Sequence, residues 1–170
     1  GEDVRYQPFG YGAALFFYKG GYKEITKSLK YRRNFKAGAY FAGMLGERLK
    51  ESELFRDVDL VVPIPLHWTR RWSRGYNQAG IIAEEVAREL DAPCEPRFLN
   101  RARRTRTQTR LGAEGRSRNV EGAFKVSSGR REAGHILLID DVFTTGATAV
   151  ACERALRAAF PKARISVATL

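Results

Sequence analysis

The sequence is poor in cysteine and histidine, with two of each among 170 residues. Cys94 and Cys152 lack the spacing of a metal-binding pair and give no disulfide framework. His67 and His135 are too scattered for a metal cluster. No apolar run approaches the ~20 residues of a membrane helix, and no basic-then-apolar signal peptide opens the chain. We therefore expect a cytoplasmic protein without a membrane span.

Positive charge is what the sequence has in excess. Its 30 Lys and Arg residues outnumber 19 Asp and Glu, which gives a formal net charge of +11 at pH 7. A basic surface attracts the phosphates of nucleotides, pyrophosphate or nucleic acid, and charge alone does not choose among these ligands. The length fits one α/β domain with a full hydrophobic core.

Apolar periodicity predicts strands that alternate with helices, which is typical of an α/β fold with a parallel sheet. We expect an amino-terminal α+β flanking or hood segment over residues 1–55 and a core over 56–170. The expected helices cover residues 22–31, 35–50, 77–90 and 147–160, and the expected strands cover 11–18, 60–65, 123–126, 135–139 and 164–169.

Residues 136–148 carry the most specific pattern. Four apolar residues, typical of a buried parallel strand, run into Asp140 and Asp141, and a hydroxyl-rich loop and an Ala-rich helix follow. Ligands of open α/β sheets bind where strands end and helices begin, and the N–H groups there suit a phosphate. The acids would repel that phosphate, so we expect them to face sugar hydroxyls or Mg²⁺. The candidate phosphate loop comprises Thr144, Thr145, Gly146, Ala147 and Thr148.

Three other interpretations explain less of the pattern in residues 136–148. A P-loop needs Lys followed by Ser or Thr, and no Lys follows Gly146. An aspartyl-phosphate phosphatase needs two acids on one side of an extended chain, whereas Asp140 and Asp141 are adjacent and would point to opposite faces. An ordinary βα turn explains one acid and one threonine but not the whole string.

Two further segments are rich in arginine. Between residues 61 and 79 a strand leads into a basic loop, and Tyr76, Asn77 and Gln78 then open a helix, with Asn77 a favourable N-cap. Residues 97–121 show no apolar periodicity and contain seven arginines and one acid between positions 101 and 118. A long loop of this kind inside a compact domain is typical of a functional lid or a disordered segment.

The string Asp-Asp-Val-Phe-Thr-Thr-Gly-Ala-Thr resembles the phosphoribosyl pyrophosphate (PRPP) motif of type I phosphoribosyltransferases. Together with Val-Pro-Ile-Pro-Leu, Arg-Gly-Tyr-Asn-Gln-Ala and Thr-Gln-Thr, it makes residues 11–170 similar to the ComF-like, amidophosphoribosyltransferase-related branch of that family. The resemblance implies a type I phosphoribosyltransferase-like parallel sheet flanked by helices. It also implies that Asp140 and Asp141 are catalytic, bind the ribose hydroxyls and hold Mg²⁺, directly or indirectly.

The resemblance assigns further roles to the loop after Asp141 and to the two arginine-rich segments. The loop over 144–148 would hold the 5′-phosphate, and a pyrophosphate loop would comprise Pro65, Leu66, His67 and Arg74. A flexible lid over residues 100–122 would close over PRPP, with Arg101, Arg104, Thr107, Gln108, Arg116, Arg118 and Asn119. ComF-like proteins commonly carry an amino-terminal four-cysteine zinc module. This sequence lacks that module, so we expect no zinc in this chain.

Two functions remain open at this stage. The first is Mg²⁺-dependent transfer of phosphoribosyl from PRPP to an unidentified acceptor, linked to bacterial competence and DNA uptake. The second is a non-catalytic competence accessory that binds single-stranded DNA or a nucleotide, because arginines interleave with Trp68, Trp72 and Tyr76. The expected partners are PRPP or another phosphorylated ribose or nucleotide, single-stranded DNA, or proteins of the competence machinery.

Overall fold

The structure is a computed structural model that describes residues 10, 12–14, 35–66, 77–102, 122–127, 132–141 and 146–170. In chain order its elements are β1 (Gly12–Ala14), α1 (Phe35–Glu51), a 3₁₀ turn (Glu53–Phe55), β2 (Leu60–Pro63), α2 (Gln78–Leu90), β3 (Leu99–Arg101), β4 (Phe124–Val126), β5 (His135–Asp140), α3 (Ala147–Ala159) and β6 (Arg164–Thr169).

The central sheet has four parallel strands in the order β1-β6-β5-β2. β5 lies between β2 and β6, with Leu137 opposite Val61 on one side and Ser166 on the other. A parallel strand with both faces covered is largely apolar, and the first five residues of β5 are buried, all of them apolar except His135. The predicted α/β class and the parallel sheet flanked by helices are therefore confirmed.

Side chains that alternate along β5 divide the interior into two layers. Leu137 and Ile139 pack with α1 and α2 in one cluster. Ile136 and Leu138 pack with α3 and with the β3–β4 pair in the other. The helices lie on both faces because successive strand residues point to opposite sides of the sheet.

The helices bury apolar stripes of helical spacing. In α1 the buried residues Ala42, Leu45 and Leu49 recur every three or four positions, and α1 packs against α2. Gly46 permits this approach, since a Cβ at that position would lie 2.7 Å from the Cβ of Glu89. None of the helices among the described residues is long and apolar enough to cross a membrane.

Most predicted elements are confirmed to within two residues. The first core strand ends at Pro63 rather than at 65. Its last hydrogen bond to β5 runs from the Ile64 N–H to the Ile139 oxygen (2.9 Å), whereas Pro63 and Pro65 occupy the alternate positions whose N–H side faces away from β5, where proline is tolerated. Of the strand predicted over 11–18, residues 12–14 form β1. The helix predicted over 22–31 lies outside the described residues, and the division at residue 55 stays a prediction.

The expectation that residues 97–121 lack secondary structure is wrong at their start. Leu99–Arg101 form β3, which pairs antiparallel with β4 in a separate two-stranded sheet, Arg101 lying opposite Phe124. A three-residue strand shows no periodicity of its own, and its partner lies far along the chain. Local pattern therefore could not reveal it.

Candidate functional site

The acid pair lies at the carboxyl end of the central strand. Asp140 ends β5, Asp141 follows it, and both are half-buried. The Asp141 N–H donates to Oδ1 of Asp140 at 2.8 Å, which holds the chain in a tight bend. β2 runs beside β5 with Pro63 opposite Ile139, so the residues after Pro63 leave the sheet next to Asp140. Such an edge is the expected ligand position of an open parallel sheet.

Helix α3 begins six residues after Asp141. Gly146 occupies its N-cap with φ 76°, a left-handed conformation that strains any residue with a Cβ, and as a glycine it has no side chain that could cap the helix. The Val150 N–H bonds back to the Gly146 oxygen at 2.9 Å. Because the first N–H groups of a helix have no acceptor within it, the start of α3 around Thr148 suits an anion.

The segment after β2 is fixed through two successive carbonyl groups. The amide Nδ2 of Asn77 donates to the Ile64 oxygen at 3.2 Å. Nε of Arg101 donates to the Pro65 oxygen at 3.3 Å. Asn77 does occupy the N-cap of α2, as expected, but its side chain makes no capping bond and instead joins the helix start to the end of β2.

Arg101 thus lies in the same region as the acid pair. Its guanidinium carbon is 4.8 Å from the centre of the Phe124 ring. Burial raises the pKa of the Cys152 thiol, and the charges of Arg101 and Asp140 act on it in opposite directions, Arg101 lowering and Asp140 raising that pKa. Cys152 itself is fully buried, as expected of a packing residue.

The donor set at this edge fits Mg²⁺ better than a soft metal. Asp140 and Asp141 offer carboxylate oxygens, which are the ligands that Mg²⁺ prefers. Within the described ranges no group of three His, Cys, Asp or Glu residues could hold a metal ion. A Mg²⁺ held here would therefore complete its shell with water and substrate oxygens, as is usual for this ion.

The structure brings together part of the expected site. Pro65, Leu66 and Arg101 lie at the end of β2 or beside it, and the acid pair and the start of α3 lie at the end of β5. The remaining expected residues lie outside the described residues: His67, Arg74, Arg104, Thr107, Gln108, Arg116, Arg118, Asn119, Thr144 and Thr145.

A hydrogen-bonded Asp-His-Ser chain at the other end of β5 is not apparent from the sequence. Nδ1 of His135 lies 2.7 Å from Oδ1 of Asp57, and Nε2 lies 2.8 Å from Oγ of Ser166. The order resembles a catalytic triad, but His135 is 1% exposed and Ser166 is 0% exposed. A nucleophile must reach its substrate, and these buried side chains cannot do so. The three hydrogen-bonded residues therefore stabilise the packing of β5 against β6.

Sequence reasoning also missed Gln78, the first residue of α2. Its side chain is buried, and its Oε1 atom has no hydrogen-bond partner among the residues that the structure describes. A buried acceptor without a donor is unusual in a native fold. The sequence offered only the polar string before the helix, which gives no indication that one of its members is buried.

Comparisons with known proteins identify relatives over most of the chain, although no family model matches it. The chain is 30% identical over 138 residues to competence protein F of Haemophilus influenzae. It is 31% identical over 127 residues to DNA utilization protein YhgH of Salmonella typhimurium, and 33% identical over 135 residues to competence protein ComFC of Streptococcus pneumoniae.

These matches cover 78%, 73% and 79% of this chain, respectively. They cover 60%, 56% and 56% of the three relatives, so the chain spans little more than half their length. Over the part that it spans, the chain is therefore a ComF-like protein.

Proposed function

We propose that this chain binds PRPP and is a Mg²⁺-dependent phosphoribosyltransferase-like protein that acts in competence or DNA uptake, with an acceptor still to be identified. The observation that carries the proposal is the placement of Asp140 and Asp141. They lie at the end of the central parallel strand, and helix α3 begins six residues after Asp141. Paired carboxylates suit the two hydroxyls of a ribose, and the helix start suits its 5′-phosphate.

The two ends of PRPP would lie against different elements. The 5′-phosphate would accept hydrogen bonds from the first N–H groups of α3, around Gly146 and Thr148. The pyrophosphate would lie toward the segment after β2, with Pro65 and Leu66. This division follows from the parallel pairing of β2 and β5, which puts both segments at one edge of the sheet.

The reaction breaks the bond between ribose C1 and a pyrophosphate oxygen. The bonding electrons leave with pyrophosphate, and the ribose carbon becomes positive until the acceptor attacks it. Asp140 and Asp141 would stabilise that positive charge, and donors at the end of β2 would stabilise the departing oxygens. Mg²⁺ would supply charge neutralisation on the pyrophosphate.

The link to DNA comes from the relatives. Proteins named for competence and for DNA utilization match this chain over about three quarters of its length. A phosphoribosyl acceptor or product connected with nucleotides or imported DNA is consistent with those names. The acid pair does not indicate which acceptor is used, because its contacts with the ribose would be the same for any acceptor.

The test is calorimetric titration with PRPP and Mg²⁺, with ribose 5-phosphate as a second ligand. The double variant Asp140→Asn, Asp141→Asn should lose PRPP binding while keeping its fold, because neutral amides bind ribose hydroxyls and Mg²⁺ less well than carboxylates. Glu132→Gln is the matched control, since it removes an exposed carboxylate ahead of the opposite end of β5. PRPP binding unchanged in the double variant would refute the site assignment.

A second candidate function is DNA binding without catalysis. The net charge of +11 and the relatives named DNA utilization protein favour it. Binding of a single-stranded oligonucleotide should then weaken steeply with salt, with a log–log slope of about −0.7 per phosphate neutralised. Salt-sensitive DNA binding that is retained in the Asp140→Asn, Asp141→Asn variant, in a chain that binds no PRPP, would favour this candidate over the first.

A further inference from the structure

The β3–β4 pair is firmly attached to the central sheet. Leu99 and Phe124 are buried in the same cluster as Leu138 of β5. The Phe98 ring stacks on Phe160 with centroids 5.7 Å apart. The pair is therefore a fixed support, and any side chain at its end has a defined position relative to β2 and β5.

Arg101 is at the end of this support and reaches the segment after β2. Its Nε donates to the Pro65 oxygen at 3.3 Å, and its guanidinium lies over the Phe124 ring of the neighbouring strand at 4.8 Å. Stacking on a ring restricts a planar guanidinium to few orientations. The bond to Pro65 is consequently made by a side chain that is already held in place.

The bond orients one peptide unit. The chain has no cis peptide bond among the described residues, so the carbonyl of Pro65 and the N–H of Leu66 point in opposite directions across a planar unit. A donor that holds the Pro65 oxygen on one side therefore turns the Leu66 N–H to the other. The preceding carbonyl, that of Ile64, is held by Asn77 at 3.2 Å, which leaves this segment little freedom to rotate.

We propose that Arg101 is a positioning residue that directs the Leu66 N–H toward the pyrophosphate group of the ligand, and does not itself supply a charge to that ligand. The inference rests on the proposed function, because it needs a pyrophosphate at this edge. It differs from the role implied by family resemblance, in which Arg101 belongs to a lid. A backbone N–H aimed in advance at a phosphate oxygen binds it without the loss of side-chain entropy.

Two substitutions separate positioning from direct charge. In Arg101→Gln the amide nitrogen is as many bonds from the backbone as Nε of arginine, so it can still donate to the Pro65 oxygen without any positive charge. In Arg101→Lys a methylene takes the place of Nε, and the charge is kept on an atom farther out. Arg101→Ala removes both properties.

The experiment measures the affinities of these three variants for PRPP, for pyrophosphate and for ribose 5-phosphate, all with Mg²⁺. We expect Arg101→Ala and Arg101→Lys to bind PRPP and pyrophosphate roughly ten-fold more weakly, and Arg101→Gln to remain within about three-fold of the wild type. Ribose 5-phosphate lacks the pyrophosphate group, so its affinity should not change in any variant. Thermal unfolding of each variant checks that the fold persists.

The opposite order of affinities in the lysine and glutamine variants would overturn the proposal. If Arg101→Lys keeps pyrophosphate affinity and Arg101→Gln loses it, the arginine acts through its charge. Equal losses in both variants, with PRPP binding intact in the wild type, would refute the positioning role but leave the proposed function standing. A wild-type chain that binds ribose 5-phosphate but neither PRPP nor pyrophosphate would refute both.

Discussion

At the scale of single residues, Asn77 and Gln78 are neighbours with opposite hydrogen-bonding states. Asn77 donates to the Ile64 oxygen, whereas Oε1 of Gln78 is buried without a donor in the described part of the chain. Removing a hydrogen bond that the folded chain forms lowers the free energy of unfolding. Replacing a buried, unsatisfied acceptor by an apolar group of similar volume removes a desolvation cost and has the opposite effect. Adjacent positions should therefore respond in opposite ways to the loss of their polar groups.

We predict that Gln78→Met raises the free energy of unfolding by about 1 kcal/mol and that Asn77→Ala lowers it by about 1 kcal/mol. Urea denaturation of the two variants beside the wild type measures both. A lower free energy of unfolding in Gln78→Met would mean that its amide oxygen has a partner in the folded chain.

The acid pair and the helix start could be predicted from sequence because each belongs to a continuous string. Asp140 follows an apolar run, and Gly146 precedes a helical pattern, so both are local signals. The bond from Arg101 to the Pro65 oxygen joins residues 36 positions apart, and the His135–Asp57 contact joins residues 78 positions apart. Contacts of that separation depend on the tertiary fold, which no local pattern contains.

At the scale of elements, the start of α3 depends on a residue without a Cβ. The φ of 76° at Gly146 is in the left-handed region, where an L side chain is strained. By contrast, Gly43 lies inside α1, and a Cβ there would meet no atom of the described residues within 4 Å beyond its chain neighbours and the backbone of its own helix. The same substitution should therefore have opposite effects in the two helices.

Gly146→Ala should lower the free energy of unfolding by about 1 kcal/mol, and Gly43→Ala should raise it by up to about 1 kcal/mol because alanine is the better helix former. Thermal and urea unfolding of the two variants measure the difference. We also expect Gly146→Ala to weaken ribose 5-phosphate binding, with Gly43→Ala as the control that leaves it unchanged. Equal stability changes in both variants would contradict the conformational argument.

Elements with a full apolar period were predictable, whereas of the two short strands of the separate sheet β4 was predicted and β3 was not. β5, α3 and β6 are long enough to show their spacing, and their predicted and observed bounds differ by one residue at most. β3 has three residues and is recognisable only through its pairing with β4.

At the scale of the whole molecule, the Asp57–His135–Ser166 chain links parts of the fold that are distant in sequence. The hydrogen bond with His135 is the main cause that lowers the pKa of Asp57 below its ordinary value of 3.8, and the charges of His135 and Arg164 act in the same direction. A carboxyl group with a lowered pKa in the folded state stabilises the fold at neutral pH. That stabilisation is lost as the pH falls below about 4, because the unfolded chain binds the proton more readily.

We predict that Asp57→Asn reduces the free energy of unfolding at neutral pH and flattens its decline in acid. The effect should be modest, since the Asp57 side chain is 63% exposed and solvent screens its charge. Urea unfolding of the variant across a series of pH values, from neutral to acidic, measures this. Asp91→Asn is the control, because Asp91 is exposed and asparagine suits its left-handed φ of 51°. An acid profile of Asp57→Asn that coincides with the wild type would contradict the assignment.

The alternation along β5 has a consequence for the accuracy of folding. Leu137 belongs to one interior layer and Leu138 to the other, so a shift of β5 by one residue would exchange the occupants of both layers. The same shift would carry Asp140 away from the end of β2, where Pro63 now lies opposite Ile139. A one-residue shift of β5 would therefore disrupt both the packing of the interior and the position of Asp140. The packing that selects the correct register of β5 also keeps Asp140 next to the end of β2.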